Sequence, residues 1–173
     1  MTLMWQTIDG EKEYWRISYL DASVAVMLAC HEPHSDKAWA YFRKEIPSVR
    51  MIEVCFYEAL GVLKAKFEKK QLTTDQYFAG LYELIGFEKD KAISLVHVPV
   101  DELLLQAWKL VEKHHRRVDF SDALQILSVK HGPYSSAAGP SQTLLATADE
   151  KLAKAARTEG VLTWYVPGDP PPS

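Results

Sequence analysis

Short apolar runs alternate with segments of helical periodicity along the chain, and this alternation restricts the fold more than any other feature. Consecutive strands that are joined through a helix pair in parallel, and helices then cover both faces of the sheet. The sequence therefore predicts an α/β fold with three α/β/α layers and a central, mostly parallel sheet of about five strands. The apolar runs place the strands at Arg16–Leu20, Arg50–Val54, Ile93–Val98, Thr143–Ala146 and Val161–Val166.

The intervals between these strands are predicted to contain seven helices. Helical spacing of apolar side chains is clearest after the second strand, and a sequence typical of a capping box begins at Thr73. The helices are placed at Ala22–Cys30, Ser35–Lys44, Phe56–Lys70, Thr73–Gly86, Asp101–His115, Asp122–Lys130 and Asp149–Arg157.

The 173 residues fit a single domain, predicted at 16–166. Residues 1–15 are predicted to be an N-terminal extension, and the tail 167–173, which contains four prolines, is expected to be disordered. Cys30 and Cys55 show no metal-ligand spacing and are predicted to be buried free thiols.

Composition excludes several classes of partner. A formal net charge of −3 argues against a protein that coats nucleic acid along its whole surface, although it permits a local basic patch. The sequence has no apolar stretch of membrane-spanning length and no signal-peptide pattern at its start. We therefore expect a cytoplasmic protein without a membrane partner.

Four carboxylates are predicted to meet at one edge of the sheet. Asp21 ends the first strand, Glu58 lies about one turn into the helix after the second, and Asp149 follows the fourth. Asp122 joins them if its short helix begins at that edge. The carboxyl ends of parallel strands share an edge, and ligand sites form there. None of the four has Lys or Arg three or four residues later, where a surface acid usually finds its partner.

Helix capping is the alternative explanation for some of these acids. Asp122 and Asp149 stand at helix starts, where the macrodipole favours a negative charge. Thr147 and Glu150 have capping-box spacing, which explains that segment without a metal. Asp119 is either an N-cap or a fifth acid, and we favour the cap. Capping gives no reason for the four acids to share an edge.

Four motifs together resemble those of PIN-domain proteins of the VapC-like toxin type. They are YLDAS at 19–23, the glutamate of VCFYEALGVLKAK, FSDALQILS around Asp122, and LLATADEKLAKAA around Asp149. The likeness covers roughly residues 16–166. The loop 131–141 is longer than usual for this family, and the N-terminal extension is a second departure.

The resemblance implies a PIN-like fold and a metal-dependent endoribonuclease. It implies that Asp21, Glu58, Asp122 and Asp149 form the metal-binding set, with Ser23 and Thr147 among the supporting hydroxyls. Carboxylate oxygens without thiolate or clustered histidine favour Mg²⁺ or Mn²⁺ over zinc. Such a metal activates a water for attack on the scissile phosphate. Glu58 is either a ligand or the residue that orients the water.

RNA is the implied substrate, and a basic surface is needed to hold its backbone. The candidate residues are Lys64 and Lys66, on the helix that carries Glu58, and Arg116 and Arg117, although a solvated helix face explains the same charges. The family likeness also implies a homodimer and a small antitoxin that masks the site. The alternative function is a non-catalytic PIN-like RNA-binding or scaffold module, which the presence of all four acids disfavours.

Overall fold

A computed structural model describes residues 16–45, 48–135 and 142–172 of the chain. Within these ranges the strands are β1 (Arg16–Leu20), β2 (Val49–Ile52), β3 (Ser94–Val96), β4 (Gln142–Thr147) and β5 (Leu162–Tyr165). The helices are α1 (Ala22–Cys30), α2 (Ser35–Glu45), α3 (Glu53–Glu68), α4 (Thr74–Lys89), α5 (Val100–Lys113), α6 (Phe120–His131) and α7 (Glu150–Thr158).

The described strands form one sheet in the order β3-β2-β1-β4-β5, and every neighbouring pair is parallel. β1 lies at the centre, where Leu20 is in register with Ala146 of β4. From β1 the chain proceeds outward through β2 and β3, and it then returns to place β4 and β5 on the other side. Strand order therefore reverses between β1 and β4, the position where α/β sheets bind ligands.

Crossover handedness explains why helices cover both faces of the sheet. Connections between parallel strands are right-handed, so crossovers that proceed in opposite directions along the sheet lie on opposite faces. α1 packs against α2, α3 and α4, α5 packs against α6, and α7 packs against β4 and β5. The prediction of a three-layer α/β/α fold with a parallel central sheet is confirmed.

Two helices next to the centre of the sheet are buried almost throughout their length. In α1 every residue from Ala22 to Ala29 except Ser23 is buried, and α6 is buried from Ala123 to Val129. The buried stretch of α1 is apolar apart from Ser23, and that of α6 also contains Gln125 and Ser128, whose side chains donate to backbone carbonyls. Helices buried in this way lie between other elements. α1 begins directly after β1, so its amino-terminal end lies at the carboxyl edge of the sheet. Gln125, near the start of α6, donates to the carbonyl of Leu20 at the end of β1 at 3.0 Å, which places the start of α6 at the same edge.

Some predicted element boundaries were wrong. The second strand was predicted to continue to Val54, but the chain becomes helical at Glu53. Cys55, Ala59 and Leu63 recur every four residues and are fully buried. Because this spacing is helical, the residues predicted to end the second strand form the first turn of α3 instead. The predicted stop at Gly86 is also wrong: α4 continues to Lys89, and Phe87 in this last turn is buried.

The predicted disorder of the tail is wrong for Asp169. Its side chain accepts a hydrogen bond from the Tyr165 backbone N–H at 2.7 Å and forms an ion pair with Arg157. Its carbonyl accepts from Lys37 Nζ, which also binds the Val166 carbonyl at 2.7 Å. These contacts attach the segment after β5 to α2 and α7. Residues 1–15, the predicted N-terminal extension, and residues 136–141 of the predicted loop 131–141 lie outside the described ranges. Within that predicted loop, His131 still belongs to α6.

No helix within residues 16–45, 48–135 and 142–172 is both long enough and apolar enough to cross a membrane.

Substitution of Asp169 tests the attachment of the tail. We expect Asp169→Ala to lower the free energy of unfolding by about 1–2 kcal/mol, because it removes an acceptor and a charge partner together. Chemical denaturation measures this change. Deletion of residues 170–173, the matched control, should leave stability unchanged, and an equal loss in the control would contradict the role of Asp169.

Candidate functional site

Asp21 lies directly after β1 at the centre of the carboxyl edge of the sheet. Its backbone N–H donates to the Ala146 carbonyl at 3.0 Å, which extends the β1–β4 pairing by one step. The side chain caps α1 by accepting from the Ser23 backbone N–H, and it also accepts from the Ser23 hydroxyl and from Thr147 Oγ1 at 2.9 Å. The residue is only 5% exposed. A buried carboxylate is costly unless it is hydrogen-bonded, and these donors supply the bonds.

Ser23 and Thr147 connect the segment after β1 to the segment after β4. Ser23 Oγ accepts from the Ala148 backbone N–H at 2.9 Å, while Thr147 Oγ1 accepts from the Asp149 backbone N–H at 2.9 Å. Each hydroxyl thus donates to Asp21 and accepts from the β4–α7 turn. The two residues that the family likeness implied as supporting hydroxyls lie between the first and last acids of the predicted set.

Asp149 is the N-cap of α7. Its Oδ1 accepts from the backbone N–H groups of Lys151 and Leu152, at 2.6 and 3.0 Å. The capping explanation and the site explanation are compatible here, because the cap engages one carboxylate oxygen and holds the other in a fixed direction.

Asp119 and Asp122 form a reciprocal capping box at the start of α6. Asp119 Oδ1 accepts from the Asp122 backbone N–H, and Asp122 Oδ2 accepts from the Asp119 backbone N–H, both at 2.9 Å. Asp119 is therefore the N-cap of α6, which is the role that we favoured from the sequence. The cap also explains why α6 begins at Phe120, two residues before the predicted start.

Ser121 connects this capping box to Glu58 on α3, a contact that was not predicted from the sequence. Its hydroxyl lies 2.7 Å from Glu58 Oε2 and 2.8 Å from Asp119 Oδ1. One hydroxyl proton is shared between two carboxylates, so Ser121 holds both acids near the start of α6. Its position inside a capping box gave no signal of this role, because the contact joins residues 63 positions apart.

The pKa shifts show that these acids lie close enough to affect one another. Burial raises the pKa of Asp122 from its usual 3.8 to about 7, and the charges of Asp119, Asp21 and Asp149 add to the rise. Burial also raises the pKa of Glu58, to which the charges of Asp21, Asp119 and Asp149 contribute. The structure therefore brings the four predicted acids into one electrostatic cluster.

Asp21 and Cys55 report the same environment. Burial raises the pKa of Asp21, although the hydrogen bonds from Ser23 and Thr147 lower it in part. Burial raises the pKa of the Cys55 thiol well above its usual value, and the charges of Asp21, Glu58 and Asp122 raise it further. Cys55 is a buried free thiol, as predicted, whereas the free thiol of Cys30 is only partly buried, contrary to the prediction.

The arrangement is not a ready-made metal site. Within the described ranges, no group of three or more His, Cys, Asp or Glu side chains is already positioned to hold a metal ion. The hydrogen bonds above engage one oxygen of each carboxylate, namely Oδ2 of Asp21, Oε2 of Glu58, Oδ2 of Asp122 and Oδ1 of Asp149.

Three of the four basic side chains proposed for RNA binding have acidic partners. Lys66 Nζ lies 2.7 Å from Glu32, Lys64 Nζ lies 3.6 Å from Glu68, and Arg116 Nε lies 3.0 Å from Glu112. These pairs do not exclude contact with RNA, but a phosphate would have to compete with each glutamate. RNA binding by all four residues, Arg117 included, stays a prediction.

A separate group of charges surrounds Glu159 at the end of α7. Lys113, His114 and Lys130 lie 2.6, 3.0 and 3.3 Å from its carboxylate oxygens. Lys130 is also near the end of α6, roughly 16 Å along that helix from Asp119 at 1.5 Å per residue. The run KHHRR therefore begins at the opposite edge of the sheet from the acids.

The chain matches no protein-family model and no curated protein. Four solved chains are similar in structure. One of them, PAE2754 from Pyrobaculum aerophilum, superposes with a TM-score of 0.57 at 19% sequence identity, over 84% of this chain and 82% of that one. At this level of identity the likeness shows a shared fold and carries no information on activity.

The pH dependence of stability tests the electrostatic cluster. The folded state binds the proton of Asp122 more tightly than the unfolded state, so this group reduces stability as the pH rises from about 4 to above 7. In buffer without divalent metal, we expect Asp122→Asn to be more stable than wild type by at least about 1 kcal/mol at pH 8, since the variant carries no charge there. The difference should vanish near pH 4. Denaturant titrations at both pH values measure it, and a difference independent of pH would contradict the assignment.

Ser121 gives a second test of the geometry. Its hydrogen bond lowers the pKa of Glu58, so Ser121→Ala should raise that pKa further. Ser121→Thr keeps the hydroxyl and should restore the wild-type value. Carboxyl ¹³C NMR titration resolves the glutamate directly. Equal titration of Glu58 in wild type and Ser121→Ala would show that the bond does not form in solution.

Proposed function

We propose that this chain is a metal-dependent endoribonuclease of the PIN/VapC toxin type. The observation that carries the proposal is the electrostatic cluster of Asp21, Glu58, Asp122 and Asp149 at the carboxyl edge of a parallel sheet, where strand order reverses. Acids that only cap helices need no common location. Acids that bind a cation do.

Mg²⁺ or Mn²⁺ fits this donor set because its members are all carboxylate oxygens. The raised pKa values of Asp21, Glu58 and Asp122 show that the folded chain holds negative charge at a cost. A divalent cation would relieve that cost. Asp21, Asp122 and Asp149 would hold the metal directly or through water, and the metal would supply an activated water and charge stabilisation at the phosphate.

The chain's own hydrogen bonds supply the positioning. Ser23 and Thr147 fix the carboxylate of Asp21, and Ser121 fixes that of Glu58. Glu58 is half-buried and its pKa is raised, properties suited to a group that orients the attacking water or accepts its proton. Its other possible role is that of a metal ligand. Lys64, Lys66, Arg116 and Arg117 are the proposed contacts to the RNA backbone.

The same proposal includes a cytoplasmic location, a homodimer, and an antitoxin that covers the acids. These features come from the family likeness. A second candidate function is a non-catalytic PIN-like RNA-binding or scaffold module. Its support is that no ready-made metal-binding group is found within residues 16–45, 48–135 and 142–172. Metal-dependent cleavage of RNA distinguishes the two functions.

The test is cleavage of a mixed single-stranded RNA pool with Mg²⁺ or Mn²⁺, with wild type beside Asp21→Asn. The substitution keeps size and shape and removes one charge from the cluster. We expect cleavage to fall at least about 100-fold, which corresponds to roughly 2.7 kcal/mol of transition-state stabilisation. Glu150→Gln is the matched control, since Glu150 is exposed, pairs with Lys154 and neighbours Asp149.

Each outcome of this test leads to a different conclusion. Metal-dependent cleavage that is lost in Asp21→Asn and kept in Glu150→Gln supports the proposal. Absence of cleavage together with absence of metal uptake in calorimetry rejects it. Metal uptake without cleavage of the pool supports a metal site at the acids and leaves in play a nuclease that cuts only a narrow set of RNAs.

A further inference from the structure

Tyr57, the residue immediately before Glu58 on α3, exposes an aromatic ring next to the candidate site. Its exposed fraction is 68%. The other large hydrophobic side chains that are exposed within residues 16–45, 48–135 and 142–172 lie on α4, α5 and β5, elements that carry none of the four acids. Phe56, which is half-buried against the core, contacts the Tyr57 ring edge to face, with the ring centroids 6.1 Å apart. Tyr57 is therefore an exposed ring that the core supports from one side.

Helix geometry places the Tyr57 ring at the carboxyl edge of the sheet. Helical side chains lean toward the amino terminus of their own helix, and α3 begins directly after β2. The ring consequently covers the first turn of α3. Glu53 lies in that turn, four residues earlier on the same face, and its Oε2 is 2.8 Å from Nδ1 of His97, which follows β3. The His97 side chain is 79% exposed, so a polar pair borders the ring.

Gly61 leaves the surface between Tyr57 and Glu58 open. It lies four residues after Tyr57 and three after Glu58, the two spacings at which helical side chains are neighbours. A Cβ added at Gly61 would meet no atom within 4 Å, so contacts within the described part of the chain do not require a glycine. Glycine destabilises a helix interior relative to alanine, and the close approach of a ligand accounts for it here. A flat ligand on the Tyr57 ring could therefore extend to Glu58 without obstruction.

An unpaired nucleobase has the shape and the polarity that this surface fits. Bases stack on aromatic side chains with little dependence on sequence, and a base inside a duplex has no free face to offer. The polar edge of the base would meet the Glu53–His97 pair. Lys64 lies on the same exposed face of α3, roughly 10 Å along the helix from Tyr57, where it could contact a neighbouring phosphate.

We infer that Tyr57, Gly61 and the Glu53–His97 pair form a subsite for one unpaired nucleobase that flanks the phosphate held at the acids. The inference rests on the proposed ribonuclease function, and it adds how the substrate is selected. The subsite accepts single-stranded or looped RNA by stacking and rejects bases that are paired in a duplex.

Fluorescence anisotropy with the full chain measures RNA binding separately from cleavage. The probes are an end-labelled pool of mixed single-stranded RNA and an abasic ribose-phosphate strand of the same length. Both are used with Ca²⁺, which carboxylate oxygens also bind, and a gel checks that the RNA stays intact. We expect Tyr57→Ala to weaken binding of the pool at least about tenfold and to leave binding of the abasic strand unchanged, because only the pool offers a base to stack.

Two further variants serve as controls in the same assay. Tyr57→Phe keeps the aromatic ring and should bind the pool like wild type. Tyr82→Ala removes a ring of the same type that is 73% exposed on α4, and it should also bind like wild type.

Gly61→Gln tests the open surface beside the ring. A glutamine side chain would cover the approach from Tyr57 to Glu58, so binding of the pool should weaken several-fold. Glutamine is also a better helix former than glycine, so the variant should unfold at a higher temperature, which separates a blocked subsite from a damaged fold. Gly86→Gln on α4 is the matched control, since a Cβ there also meets no atom within 4 Å. It should raise the unfolding temperature without weakening RNA binding.

The binding results decide the subsite independently of the cleavage test. Unchanged binding of the pool by Tyr57→Ala, an equal loss for both probes, or no binding of the pool by wild type overturns the subsite even if the chain cleaves RNA. A loss confined to the pool supports the subsite even if cleavage and metal uptake are absent. In that case the nuclease function fails, and the subsite belongs to a non-catalytic RNA-binding module.

Discussion

The hydrogen bonds to the buried carboxylate of Asp21 are the contact on which the candidate site depends. They join the end of β1 to the turn after β4 through Ser23 and Thr147, at the point where strand order reverses. Without these donors a carboxylate that is 5% exposed would remain unsatisfied, which is costly in a protein interior. The polar network therefore fixes the relative position of two helix starts, α1 and α7, and it brings Asp21 towards Asp149.

Glu159 and Asp122 show how neighbouring charge decides the protonation state of an acid. Burial alone would raise the pKa of Glu159, but hydrogen bonds from Lys113, His114 and Lys130 lower it to about 2. At the other edge of the sheet, burial and the surrounding acids raise the pKa of Asp122 to about 7. The first cluster is neutralised by the chain itself. The second contains an excess of negative charge, which a structural role alone does not require.

Local sequence patterns predicted the buried strands and helices. They did not predict features that depend on contacts between residues distant in the sequence. β1 and α1 were predicted with their observed bounds, because Asp21 separates two apolar runs and caps the second. The end of β2 was wrong because Met51–Phe56 is apolar except for Glu53, and such a run fits a strand or a buried helix equally. The contact between Ser121 and Glu58 could not be predicted, since it depends on how α3 packs near α6. Exposure of Tyr82 on α4 depends in the same way on tertiary packing.

The helix-capping contacts of the acids have a consequence for the candidate site. Asp21 and Asp149 are N-caps, and Asp122 completes the capping box of Asp119, so each holds a helix start through one oxygen. Capping contributes about 1 kcal/mol for each helix whether or not a cation is bound. The fold therefore does not need a metal in order to hold these side chains in place. The same caps limit how far the carboxylates rotate, so a cation would meet ligands whose positions are largely fixed by the fold. Helix capping and the proposed metal binding compete as explanations of the sequence, but in this structure the capping contacts of these acids do not exclude a cation.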